Sequence, residues 1–242
     1  MSIAEKLQTI AENEQKVFES GKQAEYDRFW DIYQENGNRT NYEYGFCGRG
    51  WDDKTFKPKY DITPTADTNM FCMIGVTDMI KALDNAGVKL DLSKATGGSY
   101  LLQNTLITRF PTIDASSRRA IDYFFLGNNN LEYVEKVILK SNGSQTFNNY
   151  SFMNNQKLKE IRFEGVIGQN GFTIKDSTLL SKASITSIIN ALSTTTSGLT
   201  VTLSKTAVNN AFETSTGSAN GSTSQEWLNL IATKSNWTIS LV

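Results

Sequence analysis

The chain has 242 residues, 39% hydrophobic and 11% aromatic, enough for one large domain or a smaller core with attachments. Its net charge is −1 with both signs dispersed, so no basic stripe marks a nucleic-acid partner. It has no histidine, which excludes Ser-His and Cys-His nucleophiles and leaves zinc only carboxylates and at most two cysteines.

The opening MSIAEKLQTIAENEQK mixes charges into its first turns, so no secretory signal is expected, and no apolar run is long enough to span a membrane. Residues 2–19 are expected to form a helix, with Ser2 as N-cap and Glu5 three residues on. Ile3, Leu7, Ile10 and Val17 form a narrow stripe that Glu14 interrupts. So narrow a stripe suits a coiled-coil seam or a docking surface, and these four are the candidate attachment or oligomerisation residues. Ser20-Gly21 is expected to weaken or kink this helix. A second helix, about 22–35, carries Tyr26, Phe29, Trp30 and Tyr33, an aromatic face expected to cover the repeats that follow. Asn36-Gly37-Asn38 ends it.

From about residue 42 a frame recurs. The segment YSFMNNQKLKEI, from Tyr150, repeats the pattern of YFFLGNNNLEYV, from Tyr123. Tyr150, Phe152, Leu158 and Ile161 stand where Tyr123, Phe125, Leu131 and Val134 stood. Earlier units start at Tyr44, near Met70 and at Tyr100, with a helical insertion expected at 77–86. A spacing of 20–30 residues with apolar positions at fixed offsets marks a solenoid whose coils serve as one another's core. The Tyr-x-Phe run reads as strand-like, and Asn104, Asn128 and Asn155 as bend residues that satisfy backbone groups. Cys47 and Cys72 show no CxxC spacing and read as small buried residues on neighbouring repeats. Lys54, Lys57 and Lys59 read as a solvated turn.

Beyond residue 165 the frame loosens. The expected elements are a strand at 172–174, a helix at 184–192 with Ile185, Ile188, Ile189 and Leu192 on one side, and an alternating strand at 199–203. A polar surface loop is expected at 214–224, then a helix at 225–234 with Trp227, Leu228 and Ile231 inward, and a closing strand at 237–241. This end has the character of the cap that a solenoid requires.

Reactive constellations are scarce. Gly45-x-x-Gly48-x-Gly50 and Gly165-x-x-Gly168-x-x-Gly171 lack the strand–turn–helix context of a nucleotide loop, and Ser-x-x-Lys is missing. Asp52-Asp53 suits a turn better than catalysis. Asn38, Asn142, Asn220 and Asn236 match the glycosylation pattern, as chance allows in so Asn-, Ser- and Thr-rich a chain. The enzyme class left open is a glycosidase, which needs only two carboxylates brought together by folding.

The Tyr-x-Phe…Leu-x-x-Ile frame over about 42–174 resembles the irregular leucine-rich repeats of the BspA-like class, in particular those encoded by phages and prophages of gut Firmicutes. The N-terminal residues 1–46 are similar to a module of such phage-encoded proteins, and SITSIINAL…LTVTLSK…IATKSNWTISL resembles their ending. The uneven repeat lengths and the 214–224 insertion depart from the pattern, and the class offers no catalytic motif to carry over.

The resemblance implies an α/β repeat: an irregular leucine-rich-repeat solenoid with short parallel strands, preceded by N-terminal helices and closed by an α/β cap. The corresponding divisions are a helical arm at 1–38, the solenoid at 39–192 and the cap at 193–242. It further implies a non-enzymatic virion accessory protein, fibre-, collar- or tail-associated, assembled in the bacterial cytoplasm. Its N-terminal helices would join it to other virion proteins or to further copies of itself, and its solenoid would meet a host-surface carbohydrate or protein. No cofactor, metal, nucleic acid or membrane is expected. A bacterial surface adhesin with the same repeats and a glycan-cleaving enzyme are the alternatives.

Overall fold

A computed structural model describes residues 3–48, 50–97, 99–213 and 223–242. The expected Ser2 cap and most of the expected loop at 214–224 lie outside the described residues. Within them the chain is a mixed α/β protein with five α-helices and parallel strands in two sheets.

The first element is a single helix, α1 (Ile3–Tyr33), where two were expected. Ser20-Gly21 does not break it. A mid-helix glycine costs only about 1 kcal/mol relative to alanine, and the residues around it include good helix formers. A short 3₁₀ turn at Glu35–Gly37 ends the arm.

Between residues 42 and 154 successive passes of the chain lie side by side. The amides of Tyr44, Phe46 and Gly48 donate to the carbonyls of Thr68, Met70 and Cys72, and those of Asn69, Phe71 and Met73 to Ser99, Leu101 and Gln103. Leu102 and Asn104 then donate to Phe124 and Leu126, and Phe125 and Gly127 to Ser151 and Met153. This ladder makes Phe46, Phe71, Leu102, Phe125 and Phe152 equivalent, and all five are buried. Phe46 stacks on Phe71 at 5.3 Å and Phe125 on Phe152 at 5.0 Å, so each ring is its neighbour's packing surface. The second unit therefore starts at Asn69, one residue before Met70. Met70 is itself fully buried, which makes it look like the frame residue in the sequence.

The Tyr-x-Phe runs are not strands. Tyr44, Asn69, Tyr100 and Tyr123 have φ of 52°, 53°, 61° and 58°, and a second left-handed residue follows four positions later at Gly48, Met73, Asn104 and Gly127. The backbone there is a double turn. Left-handed geometry costs a non-glycine residue about 1–2 kcal/mol, and the stacking of Tyr100, Tyr123 and Tyr150 (4.5 and 5.3 Å between neighbours) works against that cost. Strands form later in each pass.

There β1 (Arg109–Phe110) and β2 (Ile113–Asp114) pair in parallel with one side of β3 (Tyr133–Ile138), and β4 (Glu160–Glu164) with its other side. Pro111, which lacks an N–H, separates β1 from β2. Between the passes Asn128 performs the backbone service expected of it. Its Oδ1 accepts from Thr105 N at 2.9 Å and Thr105 Oγ1 at 3.0 Å, all of it buried. Asn128→Ala strands both donors and should cost about 1–3 kcal/mol, measurable as a lowered urea midpoint; an unchanged midpoint would remove Asn128 from the list of structural residues.

Helix α2 (Met79–Ala86) is capped by Asp78, which accepts from Lys81 N, and stopped by left-handed Gly87. The C-terminal part holds β5 (Thr173–Ile174), α3 (Lys182–Ala191), β6 (Leu199–Leu203), α4 (Lys205–Ala211), α5 (Gln225–Ala232) and β7 (Trp237–Leu241). Strands β5, β6 and β7 form the second parallel sheet in that order. Ile185, Ile188, Ile189 and Leu192 are all buried, as expected, whereas Leu228 faces outward and Leu230 packs against the core in its place. Buried Lys234 donates to the Asn190 and Leu192 carbonyls at the C-terminal end of α3, where the helix dipole is negative. Burial lowers its pKa.

The two cysteines are also corrected. Cys47 and Cys72 occupy equivalent places on the first two passes, with Cα atoms 4.7 Å apart, and they form a disulfide. The laddering brings together two positions that look unrelated in sequence.

Candidate functional site

Helix α1 is held at one end only. Trp30 is buried and lies against Trp51, Phe56 and Phe46 at 4.8, 5.7 and 5.9 Å, and Tyr33 against Phe46 at 5.4 Å. Of the expected aromatic cover, Trp30 and Tyr33 are buried on the body, while Tyr26 is half-buried and Phe29 exposed. Asp31 accepts from Lys59 Nζ at 2.8 Å and Tyr60 Oη at 2.7 Å, and these bonds lower its pKa. Buried Gln34 donates to the Tyr60 carbonyl and accepts from the Lys59 and Tyr60 amides, so the helix end is bolted to residues 59–60.

Towards the N-terminus the helix leaves the body. Every side chain described from Glu5 to Glu25 is exposed. At 1.5 Å per residue this free portion is about 30 Å long. Of the four candidate attachment residues, Ile10 and Val17 are 54% and 72% exposed. Ile3 and Leu7 lie on the same helix, and their side chains are outside the described residues. At 100° per residue, Ile10 and Val17 point about 140–160° away from Trp30. The face that docks on the body and the face that carries the stripe are opposite sides of one helix.

On the body, a groove of about 650 Å³ runs between α2, residues 88–92 and the ends of the strands. Its walls mix Ile80, Leu83, Leu90 and Ile138 with Asp91, Asp114 and Glu135. Folding therefore gathers carboxylates that the sequence scatters from residue 91 to residue 135, and no spacing motif signals it. Asp91 and Asp114 are engaged in turns, accepting from Ser93 N and from Ser116 N and Oγ, and Glu135 accepts from Thr112 N and Oγ1 on the preceding pass. The bonds from Ser93 lower the pKa of Asp91. Burial raises those of Asp67 and Asp122, which lie outside the groove.

Asp52 and Asp53 serve as turn residues. Asp52 accepts from the amides of Lys54 and Thr55, and Asp53 from Thr77 N and Oγ1 on the next pass. Charged side chains on the strand surface neutralise one another: Arg109 with Asp78, Lys136 with Glu164, Lys159 with Glu132. Among the described residues no group of three or more His, Cys, Asp and Glu is placed to hold a metal ion, and no helix is long and apolar enough to cross a membrane. Compared with protein-family models, curated proteins and solved structures, the chain matches none of them.

Proposed function

We propose that the chain is a non-enzymatic virion accessory protein of the phage-encoded, BspA-like leucine-rich-repeat class. In this reading the laddered passes are an irregular leucine-rich-repeat solenoid, and β5, β6 and β7 with their helices are its C-terminal cap. The observation that carries the assignment is α1, a helix bolted to the first pass by Trp30 and Gln34 and exposed at every side chain described from Glu5 to Glu25. An arm of that kind buries nothing for its own protein, so its use is contact with another chain. Such a particle component is made in the host cytoplasm and reaches the host surface when the particle does, and many copies on one particle convert weak single contacts into avidity.

The body presents the host-facing surface. The groove at Asp91, Asp114 and Glu135 suits a carbohydrate, since carboxylates accept from sugar hydroxyls while the apolar wall covers a ring face. The same carboxylates favour a second reading, glycan cleavage. That chemistry needs one acid kept protonated beside an ionised partner. The bonds from Ser93 favour an ionised Asp91, which suits either role, so the preference for binding rests on the mixed apolar and carboxylate wall of the groove.

Deleting residues 1–20 tests the assignment. The truncated chain should keep the unfolding midpoint of the full chain, because no side chain described in the removed segment is buried, and should be absent from assembled particles. Incorporation at the normal level would overturn the attachment role.

A further inference from the structure

The free part of α1 carries a seven-residue pattern. Leu7, Glu14, Gly21 and Arg28 fall on one row, and Ile3, Ile10, Val17 and Ala24 on the adjacent row. Together they make a seam of the a/d kind. Ile10, Val17 and Phe18 are more than half exposed, and nothing stands within 4 Å of a Cβ built on Gly21. An unpaired helix of this composition is marginal in water, and its glycine weakens it further, so its order calls for a partner along the seam. The body cannot supply one, because Trp30 turns the opposite face of the helix towards it.

We infer that the partner is α1 of a second copy of this chain, running in the opposite direction. The inference rests on the assembly role proposed for α1 and needs no particle. Charge selects the direction. In a parallel pair each row position meets itself, which puts Glu14 against Glu14 and Arg28 against Arg28, both destabilising. An antiparallel pair moves Glu14 of one copy towards Arg28 of the other. Size selects the same way. The bulky residues, Ile10 and Val17, lie in the N-terminal half of the seam, and the small ones, Gly21 and Ala24, in the C-terminal half. Parallel pairing sets bulky against bulky. Antiparallel pairing lays the bulky half of each helix against the small half of the other, where the missing glycine side chain gives room for close packing. The two bodies then sit at opposite ends of a helical bridge, facing apart.

Light scattering on the full-length chain should give twice the 27.0 kDa chain mass. A spin label on Lys6→Cys, with the native disulfide closed, should report a label-to-label distance of roughly 45–50 Å, set by about thirty residues of helix rise. A distance under about 20 Å means parallel helices and overturns the proposal, as does a monomer at tens of micromolar. Glu14→Arg should weaken the dimer about tenfold, and Glu14→Arg with Arg28→Glu should restore it. A parallel seam would leave Glu14→Arg without effect, since one like pair replaces another. Particle incorporation of the 1–20 deletion tests the virion reading separately: it can fail while the dimer stands, and the dimer can fail while incorporation still depends on α1.

Discussion

Replacing Arg118 by methionine is expected to lower the unfolding free energy by about 3–5 kcal/mol, the range for removing one partner of a buried ion pair. Arg118 and Asp67 are both almost completely buried, 51 residues apart in sequence. The guanidinium reaches back across the passes. Nη1 donates to Asp67 Oδ1 at 2.9 Å, Nη2 to Asp67 Oδ2, and Nη1 also to the Gly97 carbonyl on the pass between. Its Cζ lies 4.9 Å from the centre of the Phe124 ring. The Arg118 carbonyl in turn accepts from Gln145 of the following pass. One side chain thus ties the packed passes along a single edge, and its loss leaves the Asp67 carboxylate buried without a cation.

The pH dependence of that variant follows. Burial already raises the Asp67 pKa above its usual value, against the pull of Arg118. Without Arg118 it must rise further. An acid with a raised folded pKa makes its most favourable contribution below the unfolded pKa, about 3.9, and loses it as pH rises through the folded value. The deficit of Arg118→Met against the native chain should therefore be smallest near pH 4 and largest at neutral pH, read from urea unfolding at the two values. Asp67→Leu combined with Arg118→Met removes both charges and should recover most of the loss. A deficit independent of pH, or a double variant no better than the single, would show that Arg118 acts through packing alone.

None of this was visible in the sequence. Asp67 and Arg118 are ordinary surface types there, and nothing in their spacing joins them. What the sequence did carry was local. The Tyr-x-Phe frame fixed which aromatic rings repeat, and the alternation in Leu199–Leu203 and the stripe in Ile185–Leu192 marked a strand and a helix that are present. The failures share a cause. The boundary at Ser20-Gly21, the frame start at Met70 and the strand-like reading of Tyr-x-Phe were judged from residue type, whereas the outcome depends on which pass each residue pairs with. Asn69 takes the tyrosine position because its amide reaches Ser99, and asparagine tolerates the left-handed backbone there. The groove carboxylates Asp91, Asp114 and Glu135 were illegible for the same reason: only the stacking of three passes places them on one wall. The exposure of Ile10 and Val17 on α1 was legible because it depends on helical period alone.

The disulfide carries the other large effect. Cys47→Ser with Cys72→Ser, or reduction of the native chain, should cost about 3–4 kcal/mol, the loop-entropy value for a closed loop of this size; the two residues are 25 apart. The loss should be local before it is global. The bond clasps the first pass, residues 42–56, to the second, and the first pass has a ladder neighbour on one side only. Trp51 and Phe56 of that pass form the seat of Trp30. Opening the bond should therefore speed amide exchange at 42–56 and in the last turns of α1, and leave β6 and β7 protected. Uniform loss of protection through β7 would mean instead that the protein unfolds as one unit and that the first pass has no independence. In a chain assembled in a reducing cytoplasm the thiols stay open. On the virion reading proposed above, the seat of the arm would then be at its loosest while partners are being met and would tighten once the particle reaches an oxidising exterior. Particles gathered under reducing conditions and then exposed to oxidant should show the thiols of Cys47 and Cys72 lost and the arm's last turns newly protected; thiols already absent before exposure would end this order of events.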